Sequence, residues 1–270
     1  MKKIPFLIIM LSLIAISNTA MASIVIDGYV KDDWHIDLSQ ASTKGYLNTH
    51  HPSGGLDIDV VHEDNADATR GWQTVGPAQS WHNLFDAEAM YFDNDYSYGY
   101  IAVITGMPQG GLNPPGNSLP PEGDLHIFKP GDIAMYIDGR QYGINVNDGH
   151  LYQVNKWKNA VYTWNTTEKY NPWIIDMSDP GNIDLGAIPF AYSDEQNTHY
   201  VIEARIPLHT IGAQVDWDDP AKWLKVHWGM ECGNDVLNLR ADVNPTPEPA
   251  SMALVGLGVA GFLARRKRRV

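Results

Sequence analysis

The side chains of this chain that could do chemistry are chiefly aromatic and carboxylic. Nine tryptophans and thirteen tyrosines are many for 270 residues, and Trp72, Trp81, Trp157, Trp164 and Trp173 stand outside the obvious strand segments. An exposed aromatic ring stacks on the apolar face of a pyranose sugar, while neighbouring Asp, Asn, Gln or His groups hydrogen-bond the hydroxyls. These five are therefore the candidate carbohydrate-binding residues; the alternative for each is a ring that covers the open end of a large β-domain. Acidic residues gather at Asp57, Asp59, Glu63, Asp64 and Asp67, and again at Asp93, Asn94 and Asp95. Calcium takes several hard oxygen ligands from one loop, which makes Asp57, Asp59, Asp93 and Asp95 candidate metal ligands and structural calcium the candidate cofactor. Neither run has the spacing of an EF-hand, and a solvated strand face or an Asx turn accounts for them without a cation.

Catalytic motifs are missing. The ten histidines include the adjacent pair His50 and His51 and the isolated His62, His82, His126 and His227, with no H-E-x-x-H among them. No C-x-x-C, G-x-S-x-G or P-loop pattern occurs, so a zinc, serine-nucleophile or nucleotide site has no sequence support. Two carboxylates facing each other across a cleft would still make a glycosidase, and sequence does not single out such a pair. The one cysteine, Cys232, excludes an internal disulfide in a monomer and reads as a buried thiol. The expected catalytic residues are none.

The elements that must position these groups are strands. Short period-2 runs separated by turn residues dominate the middle of the chain. In His199–Pro207, Tyr200, Ile202, Ala204 and Ile206 share one face, Val201, Glu203 and Arg205 share the other, and Pro207 is expected to end the strand at a sheet edge. Hairpins are predicted for 87–105, turning at Asp93–Asp95, and for 132–146, turning at Gly139–Gln141. Further strands are predicted at 24–27, 56–62, 151–154, 225–230 and 236–243. About ten strands imply an all-β, two-sheet antiparallel sandwich of jelly-roll type. The Pro- and Gly-rich stretch from Gly106 to Lys129 is too long for a connector and is expected to be a binding loop or a flap.

Both ends carry signals. Lys2 and Lys3, an apolar run from Ile4 to Ile16 and Ala20-Met21-Ala22 read as a secretory leader, expected to be cut by signal peptidase after Ala22, the alternative being an amino-terminal membrane anchor. At the other end, Pro245-Thr246-Pro247-Glu248-Pro249 precedes an apolar, Gly-containing stretch from Ser251 to Ala264 and then Arg265, Arg266, Lys267, Arg268 and Arg269. The prolines enforce an extended spacer, the apolar stretch reads as a short transmembrane helix, and the basic cluster halts translocation. This leaves residues 1–22 as leader, 23–243 as passenger and 244–270 as tail. Two of the 19 basic residues lie in the leader and five in the tail, leaving 12 against 31 acidic ones in the passenger, a net charge near −19. Such a surface repels nucleic acid.

The order Pro247-Glu248-Pro249, apolar helix, arginine cluster resembles the PEP-CTERM sorting signal of Gram-negative bacteria. The resemblance implies an exosortase-like sorting protease as partner, a transient stay in the inner membrane, and delivery to the cell surface or an extracellular polysaccharide matrix. A second resemblance spans the passenger. Ile26-Asp27-Gly28 with Trp34, the Asp86–Tyr91 segment, Gly131-Asp132-Ile133 with Asp138, and Tyr200–Pro207 followed by Gly212 look like the signposts of family 9 carbohydrate-binding modules and related DOMON-like sandwiches. That likeness implies a jelly-roll-like fold, structural calcium, and a saccharide clamped between two tryptophans. The expected function is a non-catalytic surface or matrix protein that binds extracellular polysaccharide. A purely structural adhesion protein and a glycan-active hydrolase are the alternatives.

Overall fold

Strands are made here by alternation, and the alternation assigns each strand two different faces. The computed structural model describes residues 24–38, 58–62, 87–112, 127–159, 173–195, 199–213, 223–231 and 236–243, all within one compact unit, Ile24–Pro245. Numbered in chain order, the first sheet runs β1 (Asp59–His62), β2 (Ala87–Asn94), β3 (Tyr98–Thr105), β11 (His199–Pro207), β10 (Phe190–Glu195). The second runs β13 (Val236–Asp242), β12 (Trp223–Gly229), β4 (Ile133–Ile137), β5 (Arg140–Ile144), β6 (His150–Gln153), β9 (Ile183–Ala187). β7 (Trp157–Asn159) and β8 (Trp173–Ile175) pair with each other as a third, two-stranded sheet. Every pairing is antiparallel.

The two large sheets face each other across one core, which makes the all-β sandwich. Ile202, Ala204 and Ile206 of β11 meet Met135 and Ile137 of β4, Val226 and Trp228 of β12, and Leu237 and Leu239 of β13 in that layer. The opposite faces are covered as well. On the first sheet, residues 24–38 form a strap that contains one helical turn, α1 (Val30–Asp33). Its Ile24, Val30, Trp34, Ile36 and Leu38 bury against Ala89, Tyr91, Ala102, Ile104 and Val201. On the second sheet, Trp157 and Ile175 close over Tyr152 and Val154. Strands buried on both faces follow: β11 exposes almost nothing.

Several sequence expectations change. Residues 24–27 form no strand, because the N–H groups of Asp27 and Gly28 donate to the carboxylate of Glu203 instead of to a neighbouring strand. β11 is not an edge strand; it lies between β3 and β10. Pro207 is tolerated because the N–H of Arg205 points to Pro189 beside β10, so the missing donor two residues on points beyond where β10 begins. The β4–β5 turn sits at Asp138 and Gly139, both at positive φ (48° and 75°), as a two-residue Asp-Gly hairpin requires. Strands β7, β8, β9 and β10 were not predicted. The tail, with the apolar stretch predicted to be a transmembrane helix and its basic cluster, lies outside the described residues, as do the leader, Cys232, and 113–126 of the long loop.

Candidate functional site

The site grows from the outward-facing positions of the second sheet. Core residues on β12 and β13 alternate with Trp223, Lys225 and His227 and with Asn238, Arg240 and Asp242. Register then lines up rows across the strands. Asn238, His227 and Ala134 are direct partners, and so are Arg240, Lys225, Tyr136 and Gln141. Over this face lies the β7–β8 pair. Asn159 pairs with Trp173 and Trp157 with Ile175, so the two tryptophans are diagonal cross-strand neighbours on one face, within mutual reach of large rings.

Their geometry is defined by what lies beneath. At Gly143 an added Cβ would come within 2.7 Å of the Trp157 ring and 3.0 Å of Ile175, so only glycine leaves room for the pair to sit down on β5. The Trp157 indole N–H donates to Gln141 Oε1 at 2.5 Å. The Trp157 and Trp173 rings stand 5.1 Å apart at 65°, and Trp173 is in turn 5.5 Å from the His227 ring. His227 Nδ1 and Asn238 Oδ1 are 2.8 Å apart. Trp157, Trp173 and His227 are half-buried and Asn238 is exposed. The result is an angled aromatic cradle bordered by amide and imidazole groups.

Asp132 holds the cradle in place. Its N–H donates to the Trp173 carbonyl at 2.8 Å, its Oδ2 accepts from the Ile175 N–H at 2.8 Å, and its Oδ1 accepts from the Val146 N–H at 3.0 Å. Burial pushes this carboxyl up to about 6, against the pull of the Ile175 and Val146 donors. A second buried carboxyl, Glu203, sits under the strap on the other sheet. It is fully buried and accepts from the N–H groups of Asp27 and Gly28 and from the Trp34 indole. Burial outweighs those three donors and pushes it up to about 7. Both carboxyls are shut away from solvent.

Residues 245–269 match the PEP-CTERM protein-sorting motif. The match falls on the tail that carries Pro247, Glu248, Pro249 and the five basic residues, and it marks an exported protein that is sorted to the cell surface through an exosortase-like protein. No curated protein and no solved structure matches the chain. Among the described residues no helix is long and apolar enough to cross a membrane. The sorting motif thus speaks for where the protein goes, and the sandwich must speak for what it does there.

Of the residues singled out in the sequence, Trp157 and Trp173 come together, while Trp72, Trp81, Trp164 and Asp57 lie outside the described residues. Asp59 Oδ2 accepts from the Asp242 N–H, which ties β1 to β13 across the sheets. Asp93 accepts from the N–H of Asn94. Asp95 turns the β2–β3 hairpin, with Oδ1 taking the N–H groups of Ser97 and Tyr98 and Oδ2 taking the Tyr100 hydroxyl. Among the described residues no three His, Cys, Asp or Glu side chains gather as a cation site. Sequence reasoning missed Gln141, Asn238 and the face they share with the tryptophans. The signal available was their outward phase on each strand, which says nothing about which strands are neighbours.

Proposed function

We propose that this surface-sorted protein is non-catalytic and binds extracellular polysaccharide on the outer face of its six-stranded sheet. The carrying observation is the Trp157–Trp173 pair, 5.1 Å apart and half-buried beside Gln141, His227 and Asn238. Indole faces stack on the C–H faces of sugar rings, and the neighbouring amides and imidazole orient the hydroxyls. The likeness of the passenger's signposts to saccharide-binding sandwiches supports the same reading. A hydrolase needs an acid and a base that reach its substrate, and among the described residues the two carboxyls held most strongly above their usual range, Asp132 and Glu203, are both sealed and engaged with backbone donors. A structural matrix role competes on one observation: Trp157 already gives its N–H to Gln141 and its ring to Gly143.

Titrating the full-length protein, kept soluble in mild detergent, with a panel of oligosaccharides separates these readings. Saturable binding is expected, with Trp173→Ala weakening it by about tenfold while the fold is retained. Folded protein that binds none of the panel would favour the structural matrix role, and turnover of any oligosaccharide would make it an enzyme.

In the same reading, signal peptidase removes the leader and the tail holds the chain briefly in the inner membrane before processing. Neither nucleic acid nor a bound calcium ion is needed. Pulse-labelled protein should fractionate first with the inner membrane and later outside it. Label that reaches the outside with no membrane-bound stage would remove the anchoring step.

A further inference from the structure

Resting on that reading, we infer that the ligand of this face is an anionic polysaccharide, one that carries carboxylate or sulfate groups, and that Lys225 and Arg240 select it. The two cations are direct cross-strand partners on the outer face, and both are exposed. Like charges placed directly opposite each other in a sheet repel. In a passenger with 31 acidic residues to 12 basic ones, compensation by a carboxylate would be the ordinary arrangement. Yet among the described residues neither cation lies within ion-pair distance of a carboxylate. Asp242 shares the face and stands opposite Trp223, one step farther along β13, and Asp138 lies at the β4–β5 turn, without closing on either cation.

Arg240 is also held ready. The carbon of its guanidinium stands over the Trp223 ring, 4.0 Å from the centroid, a stacking distance. Stacking uses the face of the guanidinium and leaves its N–H edge free for the two oxygens of a carboxylate or sulfate. The positions also fit a chain of sugars. The row Arg240, Lys225, Tyr136, Gln141 crosses four strands, three steps of about 4.8 Å each. It ends at Gln141, the residue that receives the Trp157 N–H. His227, beside Trp173, is two residues along β12 from Lys225, about 7 Å away. A polysaccharide that stacks one ring in the tryptophan cradle therefore lays the charged group of a nearby ring over the two cations.

The test compares oligogalacturonates with neutral cello-oligosaccharides of the same length on full-length wild type, on Lys225→Gln/Arg240→Gln and on Lys31→Gln, a cation of the strap on the other sheet. The uronates should bind at least about tenfold more tightly than the neutral series. The double variant should lose that preference while Lys31→Gln keeps it. Equal binding of both series, or a preference the double variant retains, would overturn anionic selection and leave the saccharide reading intact. Binding of neither series by folded protein would remove both.

Discussion

Replacing Glu203 with alanine is expected to free the strap and lower the unfolding free energy by about 3 kcal/mol, the largest stability effect of any single change proposed for this molecule. Three donors converge on this one carboxyl: Gly28 N–H at 2.6 Å, Trp34 Nε1 at 2.8 Å and Asp27 N–H at 3.2 Å. With the acceptor gone they face a dry interior, each with the cost of a buried group left without a partner, and water entering the gap returns only part of it. No rearrangement of the strap substitutes for the lost contact. Gly28 sits at φ +85° against Ser193, whose hydroxyl donates to the Gly28 carbonyl, and the N–H of Val30 is already given to Glu195. Urea unfolding and limited proteolysis within residues 24–38 measure the effect. Unchanged stability and an uncut strap would show that apolar burial of Trp34 and Ile36 suffices.

The same carboxyl gives a pH signature. Folding lifts Glu203 from 4.5 to about 7, and Asp132 from 3.8 to about 6, so over this window the folded protein holds protons that the unfolded chain has shed. Their contribution is complete below the unfolded values and is lost as pH rises through about 6 and about 7. Stability of the wild type should therefore fall between pH 4.5 and 7.5. The self-repulsion of an acidic surface acts in the same direction, so the comparison is with Glu203→Gln, whose decline should be shallower. Parallel curves would deny Glu203 its part.

Asp132→Asn is the second large expectation. Asparagine has nearly the shape of aspartate but offers one acceptor oxygen, and its amide N–H₂ would face either the Val146 or the Ile175 N–H. A loss of about 2 kcal/mol follows. Because Ile175 anchors β8 and the Asp132 N–H holds the Trp173 carbonyl, β8 should also loosen on the sheet, with saccharide binding several-fold weaker. Asp132 acts here by positioning, so the distinguishing readout is hydrogen exchange at the Ile175 amide, expected to accelerate well beyond exchange in β12. Equal acceleration in both strands would reduce the effect to global destabilisation.

The sandwich was legible in the sequence in the strands with a fully buried face in the central core; β10, whose Phe190 and Tyr192 are only partly buried against it, was not. β3, β4, β11, β12 and β13 place apolar residues at every second position, and that phase is set by the pleat itself. The other strands that escaped prediction, β7, β8 and β9, lack this constraint. β9 leaves Ile183, Asp184, Leu185 and Ala187 exposed at a sheet edge, and β7 and β8 are three residues each, so neither burial nor length marks them in the sequence. Trp157 and Trp173 could be nominated by type and by their place outside clear strands. Their neighbourhood could not, because it depends on the β7–β8 register and on the gap left by Gly143.

The sorting motif at 245–269 is the opposite case, read completely from the chain, since it consists of local features in a fixed order: rigid prolines, an apolar run and a basic cluster. Glu203 marks the other limit. The sequence placed it correctly on the face of β11 opposite the core, where a glutamate ordinarily meets water. Only the tertiary structure lays a strap from the other end of the chain, 175 residues away, over that face and turns an outward carboxylate into a buried acceptor. Alternation along a strand determines which side a residue faces; what covers that side depends on contacts between segments remote in sequence, and no local pattern encodes them.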